Sequence, residues 1–328
     1  MPTVLIGAEP IRDQPGPFRT VLEAAGFRVV DPPTRERLTE ANLLEWLPQC
    51  DSIIAGGESI SARVIEAAPG LRAIARTGVG YDAVDVPAAS ARKIAVSITP
   101  GTNQESVAEQ TFALLLALTK DVLAHDRTIR QGSWVRSPLP RPLRGLTMGI
   151  VGLGRIGQAV ATRAVAFGMK VIAFEPTVNR EFNERYGVRP VGFAELLAEA
   201  DVVSLHLPLV EGTRGLFDRS TFARMKPGAL LLNTSRGGLI VEPDLVEALR
   251  SGQLGGAGLD VFHREPPEAD NPLWALPNVV LTPHMAGVDT RSMADMAEMA
   301  ARTLVELHEG RWPGHCVVNP EVAPGWKW

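Results

Sequence analysis

Thr147–Pro176, TMGIVGLGRIGQAVATRAVAFGMKVIAFEP, is the stretch that most restricts what this chain can become. Met148–Val151 is an apolar run of strand length. It is followed by a turn through GLGRIG and by Ile156, Val160, Ala164 and Phe167 at helical spacing. A second apolar run, Lys170–Phe174, ends on Glu175. Strand, glycine turn, helix, strand and acid make one βαβ unit with the dinucleotide-binding pattern in its proper context. Gly152 permits the tight turn, Gly154 lets the backbone approach a pyrophosphate, and Gly157 lets the helix lie close to the strand. Amides at the helix start then face the phosphates, favoured by the helix dipole. Glu175, eighteen residues beyond Gly157, stands where a carboxylate accepts both ribose hydroxyls of adenosine. A glycine-rich turn alone would carry none of this; the agreement of all five parts does.

At 328 residues the chain is long enough for two domains, each with its own core. A net charge of −4 gives no basic surplus for a nucleic acid. The two cysteines, Cys50 and Cys316, make no metal-ligand spacing and suit a reducing compartment. The start, MPTVLIGAEP, lacks the basic-then-apolar pattern of a signal peptide, and the apolar run Phe112–Leu118 is too short to cross a bilayer. A cytoplasmic, soluble α/β protein is expected, with no metal and no membrane or nucleic-acid partner.

Residues 2–98 alternate apolar runs with helical patterns; the runs are Val4–Gly7, Phe27–Val30, Ser52–Ala55, Leu71–Ala75 and Ile94–Ile98. That alternation predicts a parallel sheet with helices on both faces. After the fourth run comes RTGVGYDAVD, Arg76–Asp85, where the amides of Val79 and Gly80 could form an anion-binding nest or a plain strand-to-helix turn. Asn103–Gln131 reads as one long helix crossing between domains, with Val107, Phe112, Leu115, Leu116 and Leu123 on its apolar side. Gly132–Gly145, rich in Pro and Arg, reads as an irregular arm in which exposed Trp134 and its neighbours can pack on a second subunit or stay solvated. Ser292–Gly310 is an amphipathic helix returning to the first domain, its stripe of Met293, Met296, Met299, Thr303 and Leu307 read as core.

Four further apolar runs follow the glycine unit, and their ends are chemically specific. Val202–Leu205 ends in His206 and Pro208, Ala229–Leu232 in a segment carrying Arg236, Gly256–Leu259 in one carrying Asp260 and Glu265, and Val279–Leu281 in one carrying His284. Ligands of open α/β sheets bind outside the carboxyl ends of the strands, so these side chains share a rim with the pyrophosphate loop. A nicotinamide transfers hydride; the protein must place the substrate and manage one proton and one carboxylate. The planar fork of Arg236 suits the carboxylate and keto oxygen of a 2-oxo acid. His284 suits a general acid, and Glu265, if it reaches the other imidazole nitrogen, orients the ring and favours its charged form. Singly, each has a structural explanation; three in chain order beside a dinucleotide loop point to catalysis.

The motifs RTGVGYDAVD, NQESVAE, VGLGRIGQ, HLPL with its following Thr, NTSRGG, DVF with its following Glu-Pro, and TPHMAG cover nearly the whole chain. Together they resemble the D-isomer-specific 2-hydroxyacid dehydrogenase family. The resemblance implies two doubly wound parallel-sheet α/β domains, with a Rossmann cofactor domain (103–287) inserted into a flavodoxin-like substrate domain (1–102 and 288–328). It implies Arg236, Glu265 and His284 as catalytic residues, and the amides of Val79 and Gly80, with Arg236, on the substrate carboxylate. It implies NAD as cofactor, with contacts at Gly152, Gly154, Arg155, Ile156, Gly157, Glu175, His206, Pro208, Thr213, Thr234, Arg236, Asp260 and His284, and with Gly287 lining the nicotinamide pocket. A homodimer built on the cofactor domain is implied as well. The family most often has Asp where this chain has Glu175; the charge that repels a 2′-phosphate is kept, although Arg180 nearby works against it.

Within the family the sequence looks nearest the 3-phosphoglycerate dehydrogenase branch, around Ala55–Glu58 and Arg76–Asp85, which places it in serine biosynthesis. A phosphorylated substrate requires additional cations, for which Arg63, Arg76, Arg136 and Arg141 are candidates. The alternatives are a glyoxylate or hydroxypyruvate reductase and, in another class, an NADH-sensing corepressor-like binding protein. The intact Arg236, Glu265 and His284 argue against the last.

Overall fold

A computed structural model describes residues 1–177 and 179–328. The chain divides into two compact units, one of residues 1–103 with 288–328 and one of residues 104–287.

The first unit is organised by five strands: β1 Thr3–Ile6, β2 Arg28–Val30, β3 Ser52–Ala55, β4 Ala73–Arg76 and β5 Ala95–Ser97. They pair in parallel in the order β2-β1-β3-β4-β5, the doubly wound order of flavodoxin-like sheets. Successive side chains of a strand face opposite ways, and β1 shows the consequence. Val4 and Ile6 pack with Phe18, Leu22, Met296 and Leu304, while Leu5 packs with Leu43, Leu47 and Val64 on the other face. The helix Thr290–His308, capped where Asp289 accepts from the Ser292 amide at 2.6 Å, therefore covers a sheet built almost entirely from the first hundred residues. Its buried stripe includes Met293, Met296, Thr303 and Leu307; Met299 is half-buried.

The second unit contains β6 Thr147–Val151, β7 Lys170–Phe174, β8 Arg189–Pro190, β9 Val202–Leu205, β10 Ala229–Asn233, β11 Leu254–Leu259 and β12 Val279–Leu281. All pairings are parallel, in the order β12-β11-β10-β9-β6-β7-β8. Strand order reverses between β6 and β9, the switch point at which sheets of this kind bind their ligands. Leu231 faces one core, and its neighbours Leu230 and Leu232 face the other. Each fully buried leucine contributes about 1.5–3 kcal/mol. Among the described residues, no helix is long and apolar enough to cross a membrane.

One expectation is corrected. The helix expected over Asn103–Gln131 is two helices, Gln104–Lys120 and Val122–Arg130, broken where Asp121 adopts φ 51 and ψ 38. Aspartate tolerates this left-handed conformation better than most residues. The returning arm stabilises the break: the Arg141 amide donates to the Thr119 carbonyl at 3.0 Å, and Lys120 Nζ donates to the Arg141 carbonyl at 3.1 Å. The helix-end carbonyls are thus satisfied by the arm rather than by another turn. Gln104–Lys120 buries Val107, Phe112, Leu114 and Leu115, whereas Val122–Arg130 buries no residue.

Candidate active site

The loop after β6 has the geometry a dinucleotide requires. Gly152 sits at φ +99, and a Cβ there would lie 2.6 Å from the His206 carbonyl oxygen. A Cβ on Gly157 would lie 2.1 Å from the Gly152 carbonyl oxygen, so only glycine lets the helix Arg155–Ala166 approach the strand. Gly154 is different: a Cβ there would meet nothing within 4 Å, leaving open space at the helix N-terminus where a pyrophosphate would lie. Arg155 is exposed beside it and Ile156 half-buried. Glu175 closes the loop by accepting from the Leu153 amide (2.8 Å) and the Thr177 amide (3.3 Å). These features fit the dinucleotide.

Across the switch point, the His206 amide donates to the Val151 carbonyl at 2.8 Å. His206 is half-buried, and the loss of water around its ring pushes its pKa down to about 3 and keeps it neutral. One ring nitrogen lies 2.8 Å from Ser204 Oγ, and the other, Nδ1, is buried with no partner among the described residues. The Thr213 hydroxyl ties the following turn together, accepting from the Val210 amide (2.9 Å) and donating to the Pro208 carbonyl (2.7 Å). Thr234, at the end of β10, is buried with its hydroxyl 3.1 Å from that of Thr111.

Three charged side chains stand at successive strand ends of the same unit. Arg236 follows β10 in extended conformation, its carbonyl held by Asn233 Nδ2 at 2.9 Å and its Nη1 donating to the Ser235 carbonyl at 2.6 Å. Glu265 and His284 meet directly, with Oε2 2.6 Å from Nδ1. The other Glu265 oxygen accepts from the Phe262 amide at 3.1 Å. Burial raises the Glu265 pKa, but the hydrogen bond and charge of His284, with the Phe262 amide and Arg236 charge, outweigh it and hold the carboxyl below its ordinary value. The side chain thus stays an anion beside the imidazole.

Asp260 turns inward. Its side chain is fully buried, accepting from the Thr282 hydroxyl at 2.5 Å and from the Met285 and Ala286 amides at 2.9 and 2.7 Å. Burial raises its pKa above the ordinary value against the pull of those donors. Sequence reasoning could not see this arrangement, because backbone amides leave no mark in a side-chain pattern. Gly287 is half-buried just beyond.

In the first unit, the turn after β4 is shaped by Gly78 at φ +134, whose amide donates to Thr99 Oγ1 at 2.8 Å. Among the described residues, the Val79 and Gly80 amides donate to no protein acceptor, as an anion nest requires. The Gly80 carbonyl accepts from buried Arg76 Nε at 3.0 Å. The stretch Ala55–Glu58 contains a buried carboxylate, Glu58, accepting from the Gly56 amide at 3.0 Å. Arg63 is exposed and faces Glu40 at 3.4 Å. Arg141 lies at the amino-terminal edge of the second sheet, donating to the Gly228 carbonyl at 3.1 Å, with Asp201 at 3.7 Å. It is therefore at the opposite edge from the strand ends described above. Arg136 is exposed in the arm. Among the described residues, no cluster of three or more His, Cys, Asp or Glu could hold a metal ion.

A glycine loop at the switch point of a doubly wound parallel sheet defines a dinucleotide-binding protein. Residues 112–286 match the family model described as D-isomer specific 2-hydroxyacid dehydrogenase, NAD binding domain. A glyoxylate reductase of Korarchaeum cryptofilum is 42% identical over 85% of this chain and 86% of that protein. A D-3-phosphoglycerate dehydrogenase of Archaeoglobus fulgidus is 38% identical over 88% of this chain, which spans 55% of that longer protein. The crystal structure of the TT0316 protein from Thermus thermophilus superposes with a TM-score of 0.87 at 41% identity, covering 96% of this chain and 99% of that one. This chain belongs to the D-isomer-specific 2-hydroxyacid dehydrogenases and binds NAD as an oxidoreductase of CH–OH groups.

Proposed function

We propose that the protein reduces a small, unphosphorylated 2-oxo acid of the glyoxylate or hydroxypyruvate kind with NADH. The observation that carries the choice over a phosphorylated acid is the disposition of cations. Arg141 is committed at the opposite sheet edge, Arg63 pairs with Glu40, and Arg76 folds onto the Gly80 carbonyl, which leaves Arg136, exposed in the arm, as a single cation where a phosphate calls for several. The Ala55–Glu58 stretch offers a carboxylate instead of a cation. Relatives named glyoxylate reductase and D-3-phosphoglycerate dehydrogenase are both similar to the chain, so the choice rests on this geometry.

The bound nicotinamide supplies the hydride. Arg236 holds the substrate carboxylate and polarises the keto oxygen through its paired N–H groups. His284, oriented through Nδ1 by Glu265, donates its Nε2 proton to the oxygen as it becomes an alkoxide. In the reverse direction it receives the hydroxyl proton. A second copy of the chain is expected on the cofactor domain, supported by exposed Val122, Leu123, Ile129, Trp134 and Leu139.

The test is NADH oxidation against glyoxylate, hydroxypyruvate, pyruvate and 3-phosphohydroxypyruvate, with His284→Ala alongside. The expected result is a higher kcat/KM for an unphosphorylated acid and a loss of about 10²–10⁴-fold in the variant. A higher kcat/KM for 3-phosphohydroxypyruvate would refute the substrate choice; undiminished turnover in His284→Ala would refute the acid.

A further inference from the structure

His284 is held at φ +54, a conformation that a residue with a side chain keeps only when its surroundings impose it. What imposes it is a set of contacts behind the loop. The His284 amide donates to the Asp260 carbonyl at 2.8 Å, and the Met285 and Ala286 amides donate to the Asp260 carboxylate. Three consecutive amides thus converge on one buried residue. The same carboxylate receives the Thr282 hydroxyl proton at 2.5 Å, so Thr282 Oγ1 has only lone pairs left to offer, and it accepts from Gln110 Nε2 at 3.2 Å. One turn earlier on the same helix face, the Ser106 hydroxyl donates to the Ala286 carbonyl at 2.8 Å. The helix Gln104–Lys120 therefore grips the loop at both ends, through Gln110 on Thr282 and Ser106 on Ala286.

We propose that Gln110, Thr282 and Ser106 are positioning residues for the reaction: through Asp260 and the Ala286 carbonyl they lock residues 282–286 so that His284 is presented to Glu265 and to the substrate. This rests on the reading of His284 as the proton donor. None of the three needs to touch substrate. Their effect is on how often the imidazole stands in the reactive geometry, and misplacement of a catalytic group by a fraction of an ångström is enough to slow a step severalfold.

The experiment compares Thr282→Val, Thr282→Ser and Gln110→Leu by hydrogen–deuterium exchange of the unliganded protein and by steady-state kinetics with NADH. The kinetic substrate is the 2-oxo acid that the wild type reduces fastest. In Thr282→Val the Met285 and Ala286 amides should exchange on the order of tenfold faster while the rest of the chain is unchanged. Turnover should fall on the order of tenfold with KM for NADH unaltered. Thr282→Ser, which restores the hydroxyl, should recover both, and Gln110→Leu should show the same pattern more weakly. Placed on His284→Ala, Thr282→Val should have no further effect on the residual rate, because its action passes through the imidazole. Unchanged exchange in both Thr282→Val and Gln110→Leu would overturn the proposal, and so would an equal further loss on the His284→Ala background. Full turnover in His284→Ala alone would instead bring down the proton-donor reading, an outcome the exchange data keep separate.

Discussion

Gly154 and Gly157 belong to one hexapeptide, yet adding a single methyl to each should have opposite consequences. In Gly157→Ala the new Cβ would stand 2.1 Å from the Gly152 carbonyl oxygen, about 1.3 Å inside ordinary contact. The neighbour is backbone at the tight turn and cannot swing aside, so the helix Arg155–Ala166 must move off the strand. Overpacking of this kind costs about 1–3 kcal/mol, here at the upper end. For a unit of this size that is a fall of roughly 6–10 °C in Tm. In Gly154→Ala nothing lies within 4 Å and the backbone, at φ −71 and ψ −163, suits any residue, so the fold should be untouched. The methyl instead fills space that a pyrophosphate would occupy, and NADH affinity should drop on the order of tenfold or more. Thermal unfolding followed by circular dichroism and NADH titration followed by nicotinamide fluorescence separate the two effects. A Tm for Gly154→Ala as low as that of Gly157→Ala, or NADH affinity in Gly154→Ala equal to wild type, would refute the division of labour.

Three further perturbations follow from distances already given. Glu265→Gln keeps the shape of the side chain 2.6 Å from His284 but removes its charge; a hydrogen bond to a charged group is worth about 1.5–3 kcal/mol, less at this half-exposed site, so kcat should fall roughly 5–30-fold in NADH oxidation, and wild-type kcat would exclude the pairing from the mechanism. Asp31 is joined to Arg19 at 2.7 Å; burial raises its pKa, but the Arg19 hydrogen bond and the Asp13 amide more than reverse this and leave it lowered. Because the folded pKa lies below the unfolded one of about 3.9, the stabilisation is present above that value and is lost as pH falls through the folded pKa. Asp31→Asn should therefore lower Tm by about 2–4 °C at pH 7, with the gap closing as the pH falls below the ordinary aspartate value; a gap that persists in strong acid would contradict the ion pair as its source. Glu175→Ala removes the carboxylate that closes the glycine loop and repels a 2′-phosphate, so the kcat/KM ratio of NADH to NADPH should fall on the order of tenfold, and an unmoved ratio would mean that the preference is set elsewhere.

The parallel strands were legible because each is a short, continuous apolar run, as in Ser52–Ala55 and Lys170–Phe174, where both faces are covered. The two-residue β8, Arg189–Pro190, has no such run and left no trace in the pattern. The break at Asp121 was hidden for another reason. No Gly or Pro marks it, and the carbonyl that ends the helix is satisfied by Arg141, about twenty residues away in sequence. At the site, residue types at strand ends made the candidate side chains legible, since strand ends in such sheets are where ligands go. The inward turn of Asp260 and the grip of Gln110 and Ser106 on the loop depend on backbone amides and carbonyls, which every residue carries and no pattern displays. The neutrality of His206 likewise comes from the loss of water around its ring, a property of the packed fold.

The helix that completes the first sheet comes from residues 290–308, after the whole 104–287 unit has been made. During synthesis, Val4, Ile6, Ala73, Ala75 and Ala95 emerge early, while Met296, Ala300 and Leu304, which cover them, emerge about two hundred residues later. At roughly 5–20 residues per second, this apolar sheet face waits on the order of 10–40 s for its cover. The inserted unit, continuous in sequence, can fold within that interval. Until the last helix arrives, the apolar face of the first sheet is the surface of the nascent chain most exposed to aggregation.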